Sequence, residues 1–288
     1  MLWISDEWKD YEVLDASDGE RLERWGKYIL VRPDPQVIWS TPHAASEWKR
    51  YDARYIRSNT GGGHWSEHRL PERWQIRYKD YLTFNVKPMN FKHTGVFPEQ
   101  AANWDFIREK VASAGRPVRV LNLFAYSGGA TLAAAAGGAE VYHVDASKGM
   151  VAWAKENAVA SGLADRPIHW IVDDCAKFIQ REIRRGRRYD GIIMDPPSYG
   201  RGPSGEIWKM ETSFYPFLLE TAKLLTDDPL FVIINSYTTG LAPSAVSYAA
   251  DVVFGKDHGG HTAAGELGLP VKESGLILPC GATGRWTP

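Results

Sequence analysis

Cysteine is scarce in this chain, with only Cys175 and Cys280 among 288 residues. Two thiols so far apart give no disulfide framework and no metal-ligand spacing. The chain therefore reads as a cytoplasmic protein of a reducing compartment, with no metal expected. An excess of one charge is missing too: 34 Lys and Arg stand against 35 Asp and Glu, for a formal net charge of -1. No global basic field advertises nucleic acid, which leaves room only for a local patch. No apolar run is long enough to span a bilayer, and the amino terminus has no basic start followed by an apolar stretch. Neither a membrane partner nor a leader is expected. What is present, 44% hydrophobic and 24% charged residues, is the composition of a globular protein with room for a large core.

Also lacking is a G-x-G-x-x-G dinucleotide fingerprint. In its place residues 118–145 read VRVLNLFAYSGGATLAAAAGGAEVYHVD. Residues 118–124 form an apolar run too short for a helix and suited to a buried strand. The turn Tyr126-Ser127-Gly128-Gly129 follows, where absent Cβ atoms would let the backbone approach a ligand. Residues 130–136 are strong helix formers stopped by Gly137-Gly138, and a second strand ends on Asp145. An acid at that point can accept hydrogen bonds from both hydroxyls of a ribose. Tyr126 and Ser127 stand where a pyrophosphate-binding turn would carry glycine. A nucleoside ligand without phosphates, of the S-adenosylmethionine kind, suits this turn better than a nicotinamide cofactor.

The rest of the chain falls into two patterns. Residues 1–90 hold short alternating runs at 11–14, 28–32, 36–39, 55–57, 74–78 and 82–86. Asp18-Gly19, Pro33-Asp34-Pro35 and Gly61-Gly62-Gly63 punctuate them, which predicts a small, mostly antiparallel β-rich domain rich in tryptophan. The prolines near position 33 place Ile29-Leu30-Val31 at a strand end rather than mid-sheet. From residue 91 to 288 strands and helices alternate. A helix is expected at 101–114, with Gln100 and Asn103 presenting polar groups from its start. Strands at 168–172, 189–194 and 230–236 alternate with helices at 147–161, 176–185 and 210–225, then a helical run near 242–254 and an apolar stretch at 275–278. This predicts a doubly wound, mostly parallel α/β sheet whose ligands lie at the carboxyl ends of the strands. Lys87, Lys92 and His93 cluster with Phe91 and Phe97 between the two parts, either as a solvated loop or as a contact to nucleic acid.

Two further acids occupy such strand ends. One follows the strand at 168–172, in Asp173-Asp174-Cys175, where an acid is placed to accept from an adenine amino group while the next backbone N–H serves a ring nitrogen. Asp195 opens Asp195-Pro196-Pro197-Ser198-Tyr199, where two prolines stiffen the strand exit and fix its carbonyls as acceptors. Such rigidity suits methyl transfer, an in-line displacement that needs alignment and exclusion of water.

The segments FKHTGVFPEQAANW, VLNLFAYSGGATLAAAAGGAEVYHVDAS, VDDCAKFI and IIMDPPSYG together resemble the class I S-adenosylmethionine-dependent methyltransferases related to the large-subunit ribosomal RNA cytosine-5 and guanine-7 enzymes. The resemblance covers roughly residues 90–250. It implies S-adenosylmethionine as cofactor, bound by Phe124, Ala125, Tyr126, Ser127 and Gly128 at its methionine end and by Asp145 and Ala146 at the ribose. Asp174 and Cys175 would meet the adenine, Gln100 the methionine portion, and Asp195, Pro196, Pro197 and Tyr199 the acceptor. Departures stand beside it. Asn122 occupies a place where this class often has an acid for the donor ammonium, the chain starts at its β-rich part, and Ser198 separates Tyr199 from the prolines. In cytosine-5 members a cysteine follows the fifth strand; here Thr238 has its place. The expectation is a methyltransferase acting on an RNA base at nitrogen or oxygen, without a covalent cysteine intermediate. Methylation of a small molecule or protein, and a non-catalytic nucleoside- or RNA-binding module, are the alternatives. The oligomeric state stays open.

Overall fold

The computed structural model describes residues 1–58, 62–66, 69–201 and 207–288; Gly61, expected in a turn, lies outside the described residues. The chain divides into two compact units. One contains residues 1–3, 102–267 and 281–288, the other residues 4–101 and 268–280.

The first unit is built on five parallel strands: β1 (Arg119–Leu123), β2 (Glu140–Asp145), β3 (Ile168–Val172), β4 (Gly191–Met194) and β5 (Phe231–Ser236). Their spatial order is β3-β2-β1-β4-β5, which reverses direction beside β1 as a doubly wound sheet does. Val120, Leu121 and Leu123 of β1 and Ile192, Ile193 and Met194 of β4 are all buried, because helices cover both faces of a parallel sheet. The helices are α1 (Ala101–Ala112), α2 (Gly129–Gly137), α3 (Lys148–Ala160), α4 (Cys175–Arg184), α5 (Met210–Ala222) and α6 (Pro243–His258). Register pairs Leu123 with both Val144 and Met194, and Asp145 with Val172, so the carboxyl ends of β1 to β4 align along one edge.

Two long strands, β6 (His261–Pro270) and β7 (Ile277–Thr287), with β7 antiparallel to β5, and the short edge strand Leu2–Ile4 beside β6 complete this sheet. The sequence reading anticipates only an apolar stretch there. Glycines hide the alternation: a Cβ on Gly284 would come within 3.1 Å of Thr262, and one on Gly281 within 2.6 Å of the Tyr237 ring. Asn103 does not face solvent as a capping residue would. It donates to Asn235 at 3.0 Å and Thr283 at 3.2 Å and accepts from Arg285 at 2.8 Å, tying α1 to β5 and β7 in the core.

In the second unit five strands lie in sequence order, Tyr11–Ser17, Glu20–Trp25, Tyr28–Pro33, Ala53–Arg57 and Gly63–Ser66. A hairpin of Trp74–Tyr78 and Leu82–Val86 accompanies them. Residues 36–39 form no strand, contrary to expectation; Ile38 is 90% exposed and the Trp39 indole donates to the Ala16 carbonyl. Ile29-Leu30-Val31 is also mid-sheet rather than at a strand end. Its strand is the central one, and Pro33 falls on the last residue, where a missing N–H interrupts little of the ladder. Trp25, Tyr78, Phe84 and Leu22 fill the core. Beside them a charged knot is buried. Glu23 accepts from Arg32 at 2.5 and 2.7 Å and from the Tyr11 hydroxyl at 2.6 Å, with Arg21 at 3.3 Å. Burial opposes the Glu23 charge, but Arg21, Arg32 and these hydrogen bonds more than offset it and hold its pKa at about 2.

Candidate active site

The turn between β1 and α2 is strained. Phe124 (φ 56°) and Tyr126 (φ 50°) both lie in the left-handed region, which non-glycine residues rarely adopt. Hydrogen bonds hold the turn in place. Phe124 N–H donates to Cys175 Sγ at 3.3 Å, Ala125 N–H to the Val144 carbonyl at 3.1 Å, and Tyr126 N–H to Asp145 Oδ2 at 2.8 Å. From below, Asn157 donates to the Ser127 carbonyl at 2.9 Å.

Both glycines are required by packing as well. A Cβ on Gly129 would sit 2.5 Å from the Trp104 ring, and one on Gly128, itself left-handed at φ 91°, would sit 3.0 Å from Ala154. Gly128 is also the N-cap of α2 and brings no capping side chain, so it leaves the leading N–H groups of that helix to other acceptors.

Asp145 spans the turn and the next helix, since its Oδ1 accepts Ser147 N–H at 2.8 Å. Burial raises the Asp145 pKa, and the bonds from Ser147 and Tyr126 work against that rise. A carboxylate offers about four acceptor positions. Two of them are used here by the backbone. Ala146, beside it, is exposed. Asp174 caps α4 by accepting Lys177 N–H at 2.9 Å. Cys175 is buried under Phe124, and burial pushes its thiol pKa well up. The Asn122 amide is turned into the core, donating to Thr131, whose hydroxyl lies 2.9 Å from His143 Nδ1. Burial holds that histidine neutral, with a pKa of about 3. Thus Asn122 supports α2 from beneath and does not share the edge occupied by Asp145.

Past β4, Asp195 is half-buried, Pro196 buried, and Pro197 and Ser198 exposed. The Pro197 carbonyl is already engaged, by the Trp208 indole N–H at 2.6 Å. Trp208 in turn packs on Phe124 (5.6 Å between centroids) and edge-on against Phe217 (5.3 Å), linking this turn to the one after β1. No motif marks Trp208 in the sequence, and the residues just before it, 202–206, lie outside the described ones. The Ser198 and Thr238 hydroxyls are 2.8 Å apart. Tyr199 is 52% exposed. Gln100 is buried in the other unit, within the turn Pro98–Gln100.

Acids at the ends of β3 and β2 on one side of β1, and of β4 on the other, around the uncapped glycine turn that leaves β1, make an arrangement for a nucleoside-type ligand next to an acceptor. A sequence profile of the S-adenosylmethionine-dependent methyltransferases matches residues 28–221. The chain belongs to that family. The crystal structure of the SAM-dependent methyltransferase from Agrobacterium tumefaciens is 36% identical and superimposes with a TM-score of 0.93, covering 100% of this chain and 93% of that one. A methyltransferase solved in complex with SAH shares the fold at a TM-score of 0.74 and 19% identity, over 98% of this chain and 76% of that one. Among curated relatives, the ribosomal RNA large subunit methyltransferase K/L of Shewanella baltica (strain OS155 / ATCC BAA-1091) is 35% identical over 132 residues, 46% of this chain and 17% of that protein. The ribosomal RNA large subunit methyltransferase K of Neisseria meningitidis serogroup B is 34% identical over 143 residues, 49% and 40% of the two chains. The chain thus spans well under half the length of these relatives.

S-adenosylmethionine is the methyl donor of the family to which this chain belongs. Its residues fit that ligand chemically: acceptors at Asp145 for two hydroxyls, and an uncapped helix terminus for an α-carboxylate. No helix among the described residues is long and apolar enough to cross a membrane.

Proposed function

We propose that this methyltransferase acts on a base in RNA, and in ribosomal RNA first of all, at a nitrogen or oxygen atom. The observation that carries the RNA reading is the 35% identity to relatives named for ribosomal RNA methylation. In this reading Asp145 accepts from the two ribose hydroxyls, Asp174 lies at the adenine, and residues 124–128 cradle the methionine end. S-adenosylmethionine supplies an electrophilic methyl group on its sulfonium.

The acceptor turn then has the task of alignment. Asp195 accepts a hydrogen bond from the acceptor and so aims its lone pair, while Pro196, Pro197 and the Trp208 bond fix where Asp195 sits. The route is direct. Thr238 stands after β5 with its hydroxyl paired to Ser198, and an alcohol is too weak an acid to form a thiolate-like nucleophile. Cys175 is buried with its pKa raised, which also speaks for transfer without a protein–RNA bond. Incubation of the enzyme with isotopically methyl-labelled donor and unmodified ribosomal RNA, followed by mass mapping, tests the reading. Label on a nitrogen or oxygen of one base is expected. Label that stays out of RNA and enters protein or small molecules would overturn it.

A further inference from the structure

In the β-rich unit, residues 87–94 fold back on themselves, with Lys87 N–H donating to the Thr94 carbonyl at 3.1 Å and Met89 N–H to that of His93 at 3.2 Å. Side chains from the neighbouring strands fix this turn further. The Trp65 indole donates to the Met89 carbonyl at 2.8 Å, the Tyr55 hydroxyl to that of Asn90 at 3.3 Å, and Arg32 to that of Lys92 at 3.1 Å. At the tip of this pinned turn Phe91 is 60% exposed. A large aromatic ring left in water on a backbone held by five hydrogen bonds is a prepared contact, since its ordering is complete before any partner arrives.

Positive charge surrounds it. Lys92 follows directly, its Nζ donating to the Pro33 carbonyl at 3.2 Å, and exposed Arg57 ends the strand that carries Tyr55. Among the described residues neither Lys92 nor Arg57 takes part in an ion pair. Beneath them lie Arg21 and Arg32, whose partners are Glu23 and Asp34, so four cations face two acids. Burial, and then the charges of Arg21, Arg32 and Arg57, pull the Lys92 pKa down to about 8, with Asp34 opposing. His93, lowered to about 4 by burial and the same cations, adds no charge at neutral pH. A group of cations this crowded gains by meeting an anion.

We propose that Phe91, Lys92 and Arg57 form a docking surface for single-stranded RNA, with a base stacked on Phe91 and the flanking phosphates on the two cations. The proposal rests on the reading that the substrate is RNA. Stacking on an exposed ring is indifferent to base identity, and cations beside it track a phosphate backbone. An acidic protein would satisfy the cations but has no use for a projecting ring at their centre.

The test is anisotropy of a fluorescein-labelled single-stranded RNA titrated with the whole protein at several salt concentrations. Phe91→Ala is expected to raise Kd about tenfold with the salt slope unchanged. Arg57→Gln and Lys92→Gln are each expected to lower the slope of log K against log salt by about 0.7. Calorimetric affinity for S-adenosylmethionine should be the same in all three variants and the wild type. Wild-type RNA binding that persists in Phe91→Ala and Arg57→Gln, both exposed positions, would sink the surface and leave the RNA reading standing. A wild-type protein that neither binds nor methylates RNA would sink both.

Discussion

Asp145, at the end of β2, accepts the backbone N–H of Tyr126 at 2.8 Å, and Tyr126 is held in the left-handed region at φ 50°. One carboxylate therefore fixes a strained turn and, in the proposed reading, also binds the ribose that sits against it. Replacing Asp145 by Ala removes up to two charge-assisted bonds to the donor, each worth about 1.5–3 kcal/mol, and releases the turn as well. Donor affinity measured by calorimetry should fall at least tenfold. The same carboxylate predicts a pH dependence. Its pKa is raised above the ordinary 3.8, chiefly by burial, and hydroxyls donate better to the ionised form. Donor affinity should weaken on acidification at a pH above the ordinary aspartate range, and Asp145→Asn should flatten that profile. Affinity unaltered in Asp145→Ala would remove this residue from the donor site.

Gly129 tests whether the turn's glycines exist for packing. Its missing Cβ leaves room for the Trp104 ring at 2.5 Å, a distance that a real Cβ does not tolerate. Gly129→Ala should destabilise the protein by about 1–3 kcal/mol through overpacking, seen as a lower denaturation midpoint. Adding Trp104→Leu should recover part of that loss. A ligand-approach role predicts the opposite pattern, with stability kept and donor binding lost.

The parallel sheet was legible because buried strands are short, apolar and punctuated by turns, and because residues 118–145 carry strand, turn, helix and strand without interruption. Acids at strand ends could be found the same way: Asp145, Asp174 and Asp195 all stand where the alternation puts them. What escaped was information held in contacts between distant residues. Asn122 stands where the resemblance implies a group for the donor ammonium, yet its side chain points to Thr131. Trp208 has no motif, and its bond to Pro197 goes with the antiparallel pairing of Tyr199–Arg201 and Ile207–Lys209, which no periodicity announces. Strands β6 and β7 are hidden by glycines, and residues 268–280 join the β-rich unit through Lys272 and Glu273 N–H bonds to Val13 and Leu14, which no local pattern announces.

The Glu23 knot should make the β-rich unit sensitive to acid. Its folded pKa of about 2 lies below the ordinary 4.5, so its stabilisation is fully present above about pH 4.5 and fades as pH falls toward 2. Glu23→Gln should remove this component of the acid transition. It should also cost about 3–5 kcal/mol near neutrality, because it leaves Arg21 and Arg32 buried without their carboxylate. Thermal melts of both proteins between pH 7 and pH 2.5 would read the difference; identical slopes would show that the knot carries no linkage.

Asp195 separates acceptor from donor chemistry. In the proposed reading it touches the acceptor and leaves the donor to Asp145, so Asp195→Asn should collapse turnover while calorimetric affinity for S-adenosylmethionine stays within about threefold, or roughly 0.6 kcal/mol. A proportional fall in both would assign Asp195 to the donor pocket.

The acceptor atom is tested through the thiols. Carbon 5 of cytosine is a poor nucleophile, so its methylation needs a cysteine thiolate at carbon 6 and passes through a covalent protein–RNA intermediate. Thr238, whose hydroxyl lies 2.8 Å from that of Ser198, is no replacement for such a thiolate. Cys175 is buried, its sulfur accepts the Phe124 N–H, and its pKa is driven up by burial. Burial raises the Cys280 thiol as well, with Glu99 adding to the effect, and Cys280 belongs to the other unit. RNA carrying 5-fluorocytosine traps covalent intermediates because its fluorine cannot leave. Incubated with enzyme and donor, it should give no band of retarded mobility on a denaturing gel, while methyl transfer to unsubstituted RNA proceeds. A stable adduct that disappears in Cys175→Ala or Cys280→Ala would overturn the direct route and move the acceptor to carbon.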